Sequence, residues 1–112
     1  MAAIRMTTAR APRVPRETEK SFMQAVMALA TLLKWRTYHT HDSRHSAAGF
    51  PDLVLVKEGR LLFVETKAVG KSPTLEQRMW LAALSAVPCA ETFVWSPDSW
   101  AEITRVLRGR PA

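Results

Sequence analysis

Phe22, Val26, Leu29 and Leu33 recur at intervals of four, three and four residues, the spacing that aligns side chains on one face of an α-helix. The stripe predicts a helix over roughly residues 18–34, with Thr18 as its N-cap. From Trp35 to His41 the pattern becomes extended, with Arg36, Tyr38 and Thr40 to one side and Thr37, His39 and His41 to the other. Asp42 to Gly49 is rich in Ser, Ala, His and Arg and predicts a loop. Two unbroken apolar runs, Leu53–Val56 and Leu61–Val64, then flank Lys57-Glu58-Gly59-Arg60, which predicts a hairpin turning at Glu58-Gly59. Successive residues of both runs are apolar, so both faces of the sheet are expected to be covered. A second helix is predicted from about Leu75 to Val87, followed by a strand over Thr92–Trp95. A last helix begins at Ser96-Pro97-Asp98 and ends near Gly109. The order helix, three strands, helix, strand, helix predicts an α/β fold with one mixed sheet flanked by helices.

Composition narrows this picture. A chain of 112 residues, 47% of them apolar, suits one domain with a true core. No apolar run reaches the roughly 18–20 residues of a membrane span. The single cysteine, Cys89, excludes an internal disulfide and points to a reducing, cytoplasmic setting. The net charge of +6 suggests a phosphate-bearing partner, but its distribution matters more than its size. Residues 1–16 carry Arg5, Arg10, Arg13 and Arg16 and no acid, and residues 105–112 carry Arg105, Arg108 and Arg110. All 10 acids fall between these tails. Residues 1–16 also hold Pro12 and Pro15 without apolar periodicity and are read as a flexible basic arm in contact with the DNA backbone, Arg13 and Arg16 included; an organelle transit peptide is the alternative. The folded domain is then 17–112.

The chemistry lies in the acids. If Lys57 faces Arg60 across the hairpin, Asp52 faces Glu65, and opposed side chains on one face bring their Cβ atoms to roughly 4.5–5.5 Å. Two carboxylates at that separation repel and resist joint ionisation unless a cation joins them, and oxygen ligands suit a hard divalent ion. Lys67, two residues beyond Glu65, projects from the same face and is suited to orienting a water or stabilising charge on an attacked phosphate. On the helical wheel Glu19 falls near Val26, on the stripe expected to be buried; it reads either as a third ligand or as a partner of the helix dipole. Gln77 closes a capping box with Thr74. His39, His41 and His45 raise a zinc reading, but no cysteine is near and a polar rim explains them better. The tryptophans Trp35, Trp80, Trp95 and Trp100 are read as core or interface. Trp80 and Trp100 mark the second and last helices as the candidate dimer surfaces.

Pro51-Asp52 followed by Glu65-Thr66-Lys67 resembles the PD-(D/E)xK nuclease signature. The longer string is more specific: Glu19-Lys20 opening a helix, His39-Thr40-His41-Asp42-Ser43-Arg44, Gly49-Phe50-Pro51-Asp52-Leu53-Val54, Leu61 to Lys67, Glu76-Gln77 and Trp80-Leu81. From about Glu19 to Arg108 it resembles the VRR-NUC (virus-type replication-repair nuclease) family, most like the small standalone members of phages and bacteria. The resemblance implies a restriction-endonuclease-like αβββαβ core with an extra C-terminal helix. It implies Mg²⁺ or Mn²⁺ bound by Asp52, Glu65, Glu19 and the Thr66 backbone carbonyl, Lys67 positioning the water, and Gln77 near the site. It further implies a homodimer that cuts four-way (Holliday) junctions in phage or bacterial DNA repair. Ser43, Arg44 and Lys71 are read as DNA contacts. The alternatives are a nickase or flap nuclease, and a non-catalytic junction-binding module.

Overall fold

The computed structural model describes residues 18–40 and 47–109. Helix α1 (Glu19–Leu32) starts where expected: the Thr18 side chain accepts from the Ser21 N–H, and the Ser21 hydroxyl accepts from the Thr18 N–H. Phe22, Met23, Val26 and Ala30 are its buried residues, with Leu29 and Leu33 packed against the same core. Lys34, at φ 76°, ends the helix. Trp35, expected in the first strand, is instead a buried link whose indole N–H donates to the Leu107 carbonyl.

Strands β1 (Arg36–His39), β2 (Leu53–Lys57) and β3 (Arg60–Thr66) form an antiparallel meander, and β4 (Ala90–Trp95) joins β3 in parallel after helix α2 (Leu75–Ser85). The sheet order is β1-β2-β3-β4. Glu58 and Gly59 turn the hairpin with φ of 48° and 81°. Two positive φ values make a type I′ turn, which matches strand twist. It sets the predicted register, Lys57 opposite Arg60 and Leu53 opposite Val64. The chain closes with a 3-10 turn (Pro97–Ser99) and helix α3 (Trp100–Arg108), so the α-helix proper begins later than Ser96.

One sheet face holds the core. Leu53, Leu55, Leu62, Val64 and Trp95 pack with Phe22, Val26, Ile103 and Leu107 from α1 and α3. Arg60 ties this layer together: it makes two bonds to the Glu91 carboxylate at 2.7 and 2.9 Å and donates to the Val106 and Gly109 carbonyls at the end of α3. The other face departs from expectation. α2 packs mainly on β4 and β3 and buries no residue completely, while Tyr38 and Val56 stand 56% and 42% exposed on the β1–β2 side. A helix about 10 Å wide covers roughly two strands at their spacing of about 4.8 Å, so among the described residues the outer half of this face is left open. Among the described residues, no helix is long and apolar enough to cross a membrane.

Candidate functional site

The site forms where β2 begins and β3 ends. Gly49, at φ +85°, lies so close to α2 that a Cβ there would stand 2.6 Å from the Glu76 carbonyl carbon. This approach, with Phe50 ringed edge-on by Phe63 and Trp80, sets the path of the chain into Pro51-Asp52. Thr40, just past β1, holds the same segment from the other side. Its N–H donates to the Asp52 carbonyl at 2.8 Å and its hydroxyl to the Pro51 carbonyl at 2.7 Å.

The Asp52 carboxylate is fixed in turn by Thr66, whose N–H and hydroxyl both donate to Oδ2, at 2.9 and 2.8 Å. Continued one step past its last pair, Leu53–Val64, the register sets Glu65 across from Asp52. Glu65 is 1% exposed, and both of its carboxylate oxygens are buried without a hydrogen-bond partner. Lys67 Nζ lies 3.5 Å from Oε2, an ion pair too long for a good hydrogen bond. Burial, first of all, pushes the Glu65 carboxyl up to about 7; the Asp52 charge adds to this, Lys67 opposes it, and Glu19 contributes a smaller rise.

The structure therefore brings Asp52, Glu65 and Lys67 together as read from the sequence, with Glu19 at longer range. Glu19 was expected on a buried stripe and is exposed: residues 18–21 are all exposed and burial begins at Phe22. The wheel assigns a direction to the side chain, but among the described residues nothing covers the first turn. Among the described residues, no three His, Cys, Asp or Glu side chains close into a ready-made metal cluster. Gln77 takes the capping role: its Oε1 accepts from the Thr74 N–H at 2.8 Å, and its own N–H donates to the Thr74 hydroxyl. Lys71 is exposed in the connection before α2. Arg13, Arg16, Ser43 and Arg44, and His41 and His45 of the zinc reading, lie outside the described residues. Trp80 and Trp100 both spend ring contacts within the fold, on Phe50 and Phe22 at 5.0 and 5.5 Å.

The donor set fits a hard divalent cation. A nearly inaccessible carboxylate with two unsatisfied oxygens beside a second carboxylate is costly alone, and a single ammonium offsets one charge of the two. The Thr66 hydroxyl, which donates to Asp52 Oδ2, is the contact of the site that sequence reading missed. Its only signal was a threonine diagonal to Asp52 across the ladder.

The family model of the VRR-NUC domain matches residues 4–93, a span that holds every acid of the site, Lys67 and Gln77. It begins inside the segment read as an arm and stops before α3. A solved structure described as a VRR_NUC domain protein is similar to this chain with a TM-score of 0.62 at 19% identity, covering 82% of this chain and 91% of that one. At that identity the likeness shows a shared fold. No curated protein matches the chain.

Proposed function

Since the chain belongs to the VRR-NUC family, and so is a nuclease domain of the PD-(D/E)xK superfamily, we propose that it is a Mg²⁺- or Mn²⁺-dependent endonuclease of branched DNA, most specifically a four-way-junction resolvase. The observation that carries the metal dependence is Glu65: a buried carboxylate with no hydrogen bond to either oxygen, one step past the last β2–β3 pair and across from Asp52.

Asp52 and Glu65 would hold the ion, with the Thr66 carbonyl as a backbone donor and Glu19 at the edge of the site. When bound, the cation neutralises the scissile phosphate and makes water a better nucleophile at neutral pH. Lys67, largely buried and paired with Glu65, holds its ammonium where it orients that water and faces the charge growing on the phosphate. Lys71, Ser43 and Arg44, with the arginines of residues 1–16, supply backbone contacts that strengthen binding at low salt. A junction needs two symmetric nicks, which a two-fold homodimer provides. The open face around Tyr38 and Val56 and the exposed Leu75 and Met79 of α2 are apolar surfaces suited to one.

The test is cleavage of labelled four-way junction, fork, flap, single strand and duplex in Mg²⁺, Mn²⁺ or EDTA, with Asp52→Asn and Lys67→Ala alongside. Metal-dependent junction cutting lost in both variants is expected. Tight junction binding with no product in any metal would leave a binding module, and duplex cut as fast as junction would remove the resolvase reading. Light scattering decides the oligomeric state.

A further inference from the structure

Asp52 is restrained twice, by a threonine just past β1 and by the last residue of β3. Thr40 holds its main chain through the Pro51 and Asp52 carbonyls. Thr66 holds its side chain, with both donors on the single oxygen Oδ2. A carboxylate gripped at one oxygen by two bonds at 2.8 and 2.9 Å cannot rotate about its Cβ–Cγ bond without losing both. It presents Oδ1 in one orientation.

Thr66 is 1% exposed, so no water replaces its hydroxyl as a donor. The residue is next in sequence to Glu65 and next to Asp52 in space, and therefore ties the two proposed ligands into one rigid unit.

We propose that Thr66 is a positioning residue of the metal site, its hydroxyl fixing the Asp52 carboxylate in the orientation that receives the cation. This rests on the metal-nuclease reading above. Outer hydrogen bonds to a ligating carboxylate set its direction before the ion arrives, and their loss typically lowers metal affinity by about 10- to 100-fold. The backbone N–H bond survives any side-chain change, so the lower end of that range applies here.

The experiment is Mn²⁺ binding alone, followed by the loss of the free-ion electron paramagnetic resonance signal, for the full chain and for Thr66→Val, Thr66→Ser and Asp52→Asn. Valine keeps the shape and removes the hydroxyl. Serine keeps the hydroxyl. Thr66→Val should raise the Mn²⁺ dissociation constant about tenfold, Thr66→Ser should restore near-normal binding, and Asp52→Asn should bind least. The cleavage rate of Thr66→Val should recover at saturating Mn²⁺, whereas that of Asp52→Asn should not. Should circular dichroism show Thr66→Val unfolded, Thr66→Cys, of similar size with a far weaker donor, takes its place. Thr66→Val binding Mn²⁺ as tightly as the parent, while Asp52→Asn does not, would overturn the inference and leave the metal site standing. A parent chain that binds no Mn²⁺ would overturn both.

Discussion

The ammonium of Lys67 lies 3.5 Å from Oε2 of Glu65, a carboxylate buried to 1% exposure. This ion pair offsets one negative charge at a place where the sheet register and the turn before β2 gather two. The residual imbalance is the source of the site's behaviour without metal.

The Glu65 carboxyl is raised from 4.5 to about 7, so the folded chain holds that proton more tightly than the unfolded one. The stabilising contribution is complete below about pH 4.5 and is lost as pH rises towards 7. In EDTA, the unfolding free energy of the parent relative to Glu65→Gln should fall across that window by up to about 3 kcal/mol from the shift alone and level off above it. Saturating Mg²⁺ should flatten the difference. A parent-minus-variant difference that is constant with pH would contradict the burial argument.

Arg60 is stabilising and remote from the chemistry. Arg60→Ala leaves Glu91 without its bidentate partner and strips the last carbonyls of α3. It should cost roughly 2–4 kcal/mol in chemical denaturation. Arg60→Lys should recover little, because an ammonium cannot span both carboxylate oxygens and two carbonyls. Mn²⁺ affinity measured where both variants are folded should match the parent.

Gly49 combines a positive φ with a close approach, its virtual Cβ lying 2.6 Å from the Glu76 carbonyl carbon. Gly49→Ala must move α2 or the loop, at a cost of about 1–3 kcal/mol for the backbone strain alone. Since that loop leads into Pro51-Asp52, metal affinity should fall together with melting temperature. Gly59→Ala, whose Cβ meets nothing within 4 Å, should lower stability alone.

Removing residues 1–16 should weaken junction binding and make it less sensitive to salt. The slope of log affinity against log salt should shrink by about 0.9 for each phosphate that an arginine of this segment neutralises. Metal-dependent cleavage at low salt and saturating protein should persist. The family match begins at residue 4, so a large drop in melting temperature on truncation would assign the segment to the fold and not to an arm.

Local signals were strong enough to be read directly. The N-cap at Thr18, the capping box at Thr74, the Glu58-Gly59 turn and the apolar runs of β2 and β3 each depend on neighbours within a few residues. The turn in particular carried the register, and the register carried the opposition of Asp52 and Glu65. Failures occurred where a helical wheel or an apolar run was asked about coverage. Glu19 has the right direction on α1 yet is exposed. Val56 is apolar on a face that α2 is too narrow to reach.

What the amino-acid sequence determined by itself, then, is the set of elements, the hairpin register and the pairing of two acids with one lysine. These follow from backbone conformational preference and the two-residue period of a strand. Only the tertiary structure decided how deeply Glu65 is buried, that Arg60 would close α3, and that Thr66 would grip Asp52. Each of those depends on which surfaces meet across the sheet, and a desolvation cost or a hydrogen bond between strands exists only once they have met.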